Sequence, residues 1–322
     1  MRSCLFLLFV ILSGSSFATH TSLTPRAAGE LPKSVDLTKD HNQGFYQRNQ
    51  GQWGTCHAFA IIPLIETLEK FRAGAKGVPD PISENWVVFL STLDRLCDNS
   101  QNPVGPEQGW YADADLKRVF TIGYCSQAKY LPYRGTDYYN VISRAGAKGF
   151  VPGDKEKAFK ETFGISSKKA KDNLCTPNEA SINRLIYDRD LADPVETKFK
   201  DCLREAQTKR KDKRLKNCEV DRESWGTSNP SANENKKMKI QQALASGVPV
   251  YVSVENYSEL VRGALHVDPK KHSYHAVALT GYNPKEFTVQ NSWGEGQNWP
   301  IPYDKLDKIR EVGFINCSTN PA

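Results

Sequence analysis

In NQGQWGTCHAFA (residues 49–60) a cysteine follows a glutamine by six positions, inside a loop broken by Gly51 and Gly54. From Cys56 the chain reads CHAFAIIPLIETLEKFRAG, with Phe59, Ile62, Ile65 and Leu68 at helical spacing and Gly74 as a stop. That pattern predicts a helix whose first turn holds Cys56, where unpaired N–H groups and the positive dipole end favour a thiolate. The Cys56 N–H and the looped-back Gln50 amide are then two candidate donors to an oxyanion. On local sequence alone a buried or bridged cysteine is an equal alternative.

A thiol nucleophile needs a base. His57 is adjacent in sequence, but consecutive helical side chains diverge by about 100°, so packing or solvation is its expected role. His275 opens the strand-like run HAVALTGYN, and Asn291 follows in VQNSWGEG. Strands over 274–282 and 286–291, joined by a turn at Asn283 and Pro284, would form a hairpin that sets the two residues side by side. An amide oxygen accepting from one ring nitrogen would fix the tautomer and leave the other nitrogen for the thiol.

The elements that must position these groups belong to a chain of 322 residues, 39% apolar, with a formal charge of +6. Those values predict a globular protein, not a disordered one. Residues 1–18, with Arg2, the run CLFLLFVIL and small Ser16 and Ala18, read as a secretory signal cleaved after Ala18. No other apolar run is long enough to span a bilayer. Export bears on the eight cysteines: Cys4 leaves with the signal, and the odd remainder predicts three bridges and one free thiol. No cysteine or histidine spacing suits zinc, so no metal or organic cofactor is implied.

NQGQWGTCHAFA, HAVALTGY and VQNSWGEG, in this order, resemble the papain-like cysteine peptidases. LPKSVDLTKD resembles the start of the mature enzyme in that family, and ISENWVVFL its second helix. QGWYADADLKRVFTIGY and YLPYRG resemble the cleft wall and the segment after it, and KIQQALASGVPVYVSVE the helix and strand before the histidine strand. The matches cover about 31–135 and 237–295. The resemblance implies an α+β fold of two lobes, one helical and one antiparallel β, with the cleft between. It implies Cys56 as nucleophile, His275 as general acid and base, Asn291 as the residue orienting it and Gln50 as oxyanion donor. Trp293 would shield the Asn–His bond. Gly109, with Trp110 beside it, would present backbone to a peptide or protein substrate, with a glutamine where the family has another glycine. No nucleic acid partner is expected.

The chain also departs from the family. Trp53, Thr55 and His57 differ from the usual sequence around the cysteine, and Pro63 is expected to kink the first helix unless the helix is adapted there. More than two hundred residues separate Cys56 from His275, against roughly 130–150 in papain-like enzymes. A mostly helical insertion at about 140–236 is therefore expected, bordering or partly covering the cleft. Expected pairings are Cys202 with Cys218, closing a helical hairpin, and Cys97 with Cys125. The run KRKDKRLK (209–216) offers contact with a polyanion or membrane surface, against the simpler reading of a solvated helix or loop. Only THTSLTPRAAGE separates the signal from LPKSVDL, so ordinary zymogen control is expected to be absent. Two other functions fit the same residues: a catalytically silent binding protein on this fold, and a thiol amidase or transferase acting on non-protein amides.

Overall fold

The computed structural model describes residues 31–40, 47–51, 54–73, 80–98, 112–130, 133, 152–212, 218–224, 230–255, 257, 260 and 274–317. The expected signal, Trp53, Gly109 and Trp110 lie outside these residues.

Strand β1 (Val35–Asp36) and one turn of helix, α1 (Leu37–Asp40), precede α2 (Cys56–Ala73). The predicted apolar stripe of α2 is in fact a full circumference: Ala58, Phe59, Ile61, Ile62, Leu64, Ile65 and Leu68 are all buried. Helices α3 (Glu84–Cys97) and α4 (Ala112–Ile122) pack against it, and so do two strands of the sheet. A helix enclosed on all sides needs apolar residues all round. It continues through Pro63 as one element. Ser83 caps α3 by accepting from the Trp86 N–H, and α4 ends at Gly123, where φ is 100°. A Cβ there would also lie 2.1 Å from the Ala206 carbonyl oxygen, so only glycine fits this approach of a later helix.

That later helix is part of the insertion. Residues 152–210 form α5 (Pro152–Phe163), α6 (Ser167–Leu174), α7 (Glu179–Ile186) and α8 (Pro194–Arg210). They share the core of the helical lobe: Phe159, Phe163 and Phe199 ring Phe89, and Phe199 also meets Trp86, with centroids 5.7 Å apart. Lys209, from the basic run, is buried and pairs with Glu69 at 3.5 Å and Glu205 at 2.9 Å. Lys211 pairs with Glu179 at 2.8 Å. The insertion then becomes a strand, β2 (Cys218–Ser224), which is not in the helical pattern expected of it.

The sheet is antiparallel, in the order β2-β7-β3-β4-β5-β6, with β1 on β4. Its remaining members are β3 (Val250–Glu255), β4 (Tyr274–Tyr282), β5 (Glu286–Gln290), β6 (Ile301–Pro302) and β7 (Ile309–Cys317). Helix α9 (Pro230–Ala245) and a 3-10 helix at Tyr303–Lys308 cover β3 and β4 and the adjoining strand ends. Gly281 is required where β1 crosses β4, because a Cβ would fall 2.4 Å from the Val35 carbonyl oxygen.

Three disulfides join Cys97 to Cys175, Cys125 to Cys202 and Cys218 to Cys317. Both expected pairings are therefore corrected. Cys97 ties α3 to the insertion, and Cys125 does the same for the segment after α4; Cys218 clasps β2 to β7, directly opposite Cys317 in register. The three sequence separations of 78, 77 and 99 residues explain why local reasoning missed them. No helix among the described residues is long and apolar enough to cross a membrane.

Candidate active site

Cys56 is the first residue of α2 and the free cysteine among the described residues. The backbone N–H of Ala276, from β4, and those of His57 and Cys56 itself lie near enough to the thiol to favour its ionised form. The first turn of the helical lobe thus meets the histidine strand of the β lobe. Burial raises the thiol above its ordinary range, and the three N–H groups oppose that shift by favouring the thiolate.

Next to Ala276, His275 is buried on β4. Its Nε2 lies 2.8 Å from Asn291 Oδ1. The orientation of that amide is set from its other end, since Asn291 Nδ2 donates to the Gln297 carbonyl at 2.9 Å. The oxygen therefore faces the ring, Nε2 carries the proton, and Nδ1 is the basic nitrogen left for the thiol. The backbone of Asn291 is held as firmly: its N–H donates to Asn298 Oδ1 at 2.8 Å, and its carbonyl accepts from Gln47 Nε2 at 2.9 Å. Trp293 stacks on the imidazole at 4.4 Å and 24°, and Tyr257 leans on both rings at 5.1 and 5.5 Å. Enclosure pulls the His275 imidazole down to about 4, with the Asn291 hydrogen bond opposing it. Burial by itself thus favours an uncharged thiol and imidazole.

Gln50 is buried, and Ser292 holds it twice. The Gln50 N–H donates to the Ser292 carbonyl at 2.7 Å, and the Ser292 hydroxyl donates to Gln50 Oε1. With the oxygen so engaged, the nitrogen is the donating end of the side chain. The preceding loop is locked by Arg48, whose guanidinium pairs with Glu66 of α2 and, at 3.1 Å, with Glu84 of α3. Gly294 N–H returns to the Arg48 carbonyl at 3.0 Å, and Asn49 bridges Trp293, so the glutamine loop and the asparagine loop are stitched together.

The sequence-predicted residues Gln50, Cys56, His275, Asn291 and Trp293 come together where the lobes meet, whereas Gly109 and Trp110 lie outside the described residues. His57 points away from this group, as its spacing predicts: its Nδ1 pairs with Asp115 of α4 at 2.7 Å in the interior. Sequence reasoning missed Ser292 and Tyr257. Ser292 sits in the NSWG motif and was detectable from sequence; Tyr257 is placed by tertiary structure alone.

Comparison with known proteins bears on the fold that carries these residues. The model of the Peptidase_C39 like family matches residues 207–312, a stretch that includes His275 and Asn291 but not Cys56. A search of the curated proteins finds no match. Among solved structures, the chain is similar to xylellain, a cysteine protease from Xylella fastidiosa, at 16% identity and a TM-score of 0.52, covering 92% of this chain and 91% of that one. It is also similar to the Carica candamarcensis cysteine protease CMS1MS2 in complex with E-64, at 20% identity and a TM-score of 0.46, covering 90% and 100%. The overlay with xylellain, together with the two-lobed architecture, identifies the fold as papain-like.

Proposed function

Starting from that papain-like fold, we propose that the protein is a secreted cysteine peptidase that hydrolyses peptide bonds at Cys56. The observation that carries the reading is the placing of the unbridged cysteine beside Ala276, one residue from an imidazole whose far nitrogen is bound to Asn291. In the proposed cycle Nδ1 of His275 takes the thiol proton as sulfur attacks the substrate carbonyl. The Cys56 N–H and the Gln50 amide nitrogen receive the oxyanion. His275 then protonates the leaving amine, and the same nitrogen activates the water that releases the acyl group. Asn291 holds the ring in register throughout, and Trp293 keeps water from the Asn291 hydrogen bond. Gly109 and Trp110 are proposed to line the substrate.

Three disulfides support the exported location, because such bridges persist in oxidising compartments. Contact with a polyanion through 209–216 is a weaker part of the proposal, since Lys209 and Lys211 are engaged within the chain; failure to bind heparin beads at low salt would remove it. The reading as a whole is tested by turnover of a fluorogenic peptide-amide library. Wild-type protein is expected to cleave members of it and Cys56→Ser none, whereas equal rates for the two would refute the assignment.

A further inference from the structure

Gln50 and Cys56, the two oxyanion donors named above, lie six positions apart in sequence, so the placing of Gln50 and of Thr55, which leads into Cys56, sets the distance between them. One side chain from outside this stretch touches both Gln50 and Thr55. The Tyr133 hydroxyl donates to the Gln50 backbone carbonyl at 3.2 Å and lies 2.9 Å from Thr55 Oγ1. A phenol has one proton, and Gln50 O can only accept, so the Thr55 hydroxyl is the donor in the second bond. The chain of bonds therefore runs from Thr55 through Tyr133 to Gln50. Thr55 is buried, and its own carbonyl accepts from Phe59 N–H at 3.2 Å, the first turn of α2. The ring of Tyr133 is fixed edge-on to Phe59 at 4.8 Å.

We propose that Tyr133 is a positioning residue for the oxyanion site, a clamp that holds the Gln50 and Cys56 ends of the loop at the separation that the tetrahedral intermediate needs. This rests on the cysteine peptidase reading. Ser292 fixes the Gln50 side chain and backbone N–H from the β lobe, and Tyr133 fixes the Gln50 backbone carbonyl. Burial raises the Tyr133 phenol well above its ordinary range, opposed by the Thr55 hydrogen bond and helped by Glu84 and then Cys56, so the hydroxyl keeps its proton. The clamp acts on donor geometry and not on the thiol and imidazole, which predicts a separation that a merely structural residue would not show.

The test uses the full chain and the variant Tyr133→Phe, which keeps the ring against Phe59 and removes both hydrogen bonds. Two rates are measured: turnover of a fluorogenic peptide amide, which passes through an oxyanion, and alkylation of Cys56 by iodoacetamide, which does not. Expected are a fall in kcat of about ten- to a hundredfold with KM little changed, and an alkylation rate within about twofold of wild type. Thr55→Val, which removes the other bond, is expected to give the same split, and the double variant to be no worse than the more impaired single one. Unchanged kcat in Tyr133→Phe overturns the clamp alone. A parallel loss of turnover and alkylation also overturns it, because the residue would then act on the thiol or on folding. No turnover by wild-type protein overturns the peptidase reading and the clamp with it.

Discussion

The proposed cycle requires His275 to be both enclosed and basic, and its surroundings bear on both demands. Trp293 and Tyr257 pack on the ring, while Asn291 supplies a hydrogen bond that favours its protonated form. Burial is the larger effect, and it leaves the imidazole at about 4. The sign of the pH dependence follows. An unfolded histidine titrates near 6.5, so above that pH the group is neutral in both states and costs nothing. As pH falls from 6.5 towards 4 the unfolded chain gains a proton that the folded one refuses, and about 3 kcal/mol of stability is lost. Cys56 acts at the other end: its raised thiol contributes stability at low pH that is lost as pH climbs through the thiol range. Urea unfolding of wild type and His275→Asn at pH 4, 5, 6 and 7 measures the difference directly. The wild-type curve is expected to fall relative to the variant across that range, and parallel curves would show that the ring is not held in a dry site.

At the scale of elements, the site depends on three pieces of chain converging: the loop before α2, the first turn of α2, and the β4–β5 hairpin. The hairpin was readable from sequence because its strands are adjacent and its turn is marked by Asn283 and Pro284; the expected bounds of 274–282 and 286–291 match β4 and β5 to within one residue. The buried pairing of Arg48 with Glu66 and Glu84 was not, because its members come from three elements and each alone reads as a surface charge. Burial raises the Glu66 carboxyl, and Arg48 is the main group opposing that shift. Arg48→Met would leave two enclosed carboxylates without their cation, and is expected to destabilise the protein by about 3–5 kcal/mol. Chemical denaturation checks this, and a loss below about 1 kcal/mol would mean that the loop is anchored elsewhere. His57 shows the same limit of local reading: its spacing said that it could not serve the thiol, but nothing near it in sequence named Asp115 as its partner.

Over the whole molecule, two lobes of unlike construction meet along one seam, and the chain crosses it repeatedly. The sheet is entered early by β1, left for the helical lobe, and rejoined by β2 out of the insertion, whose Arg222 pairs with Asp113 of α4 at 3.3 Å. The insertion is therefore a builder of the helical core and of one sheet edge, a role that its polar, helical sequence did not disclose. Among the described cysteines the expected three bridges and one thiol are found, and the unbridged one is at the seam. The partners within the bridges were invisible because the members of each pair lie 78, 77 and 99 residues apart and on different elements. The central claim is that Cys56 and His275 act as one reactive unit across that seam. Its most direct measurement is the rate at which an uncharged peptide vinyl sulfone modifies the oxidised, folded protein, with the adduct mapped by mass spectrometry. One adduct at Cys56, formed at least about a hundredfold more slowly in His275→Ala, is the predicted result; an unmodified Cys56, or equal rates in the two proteins, would contradict it.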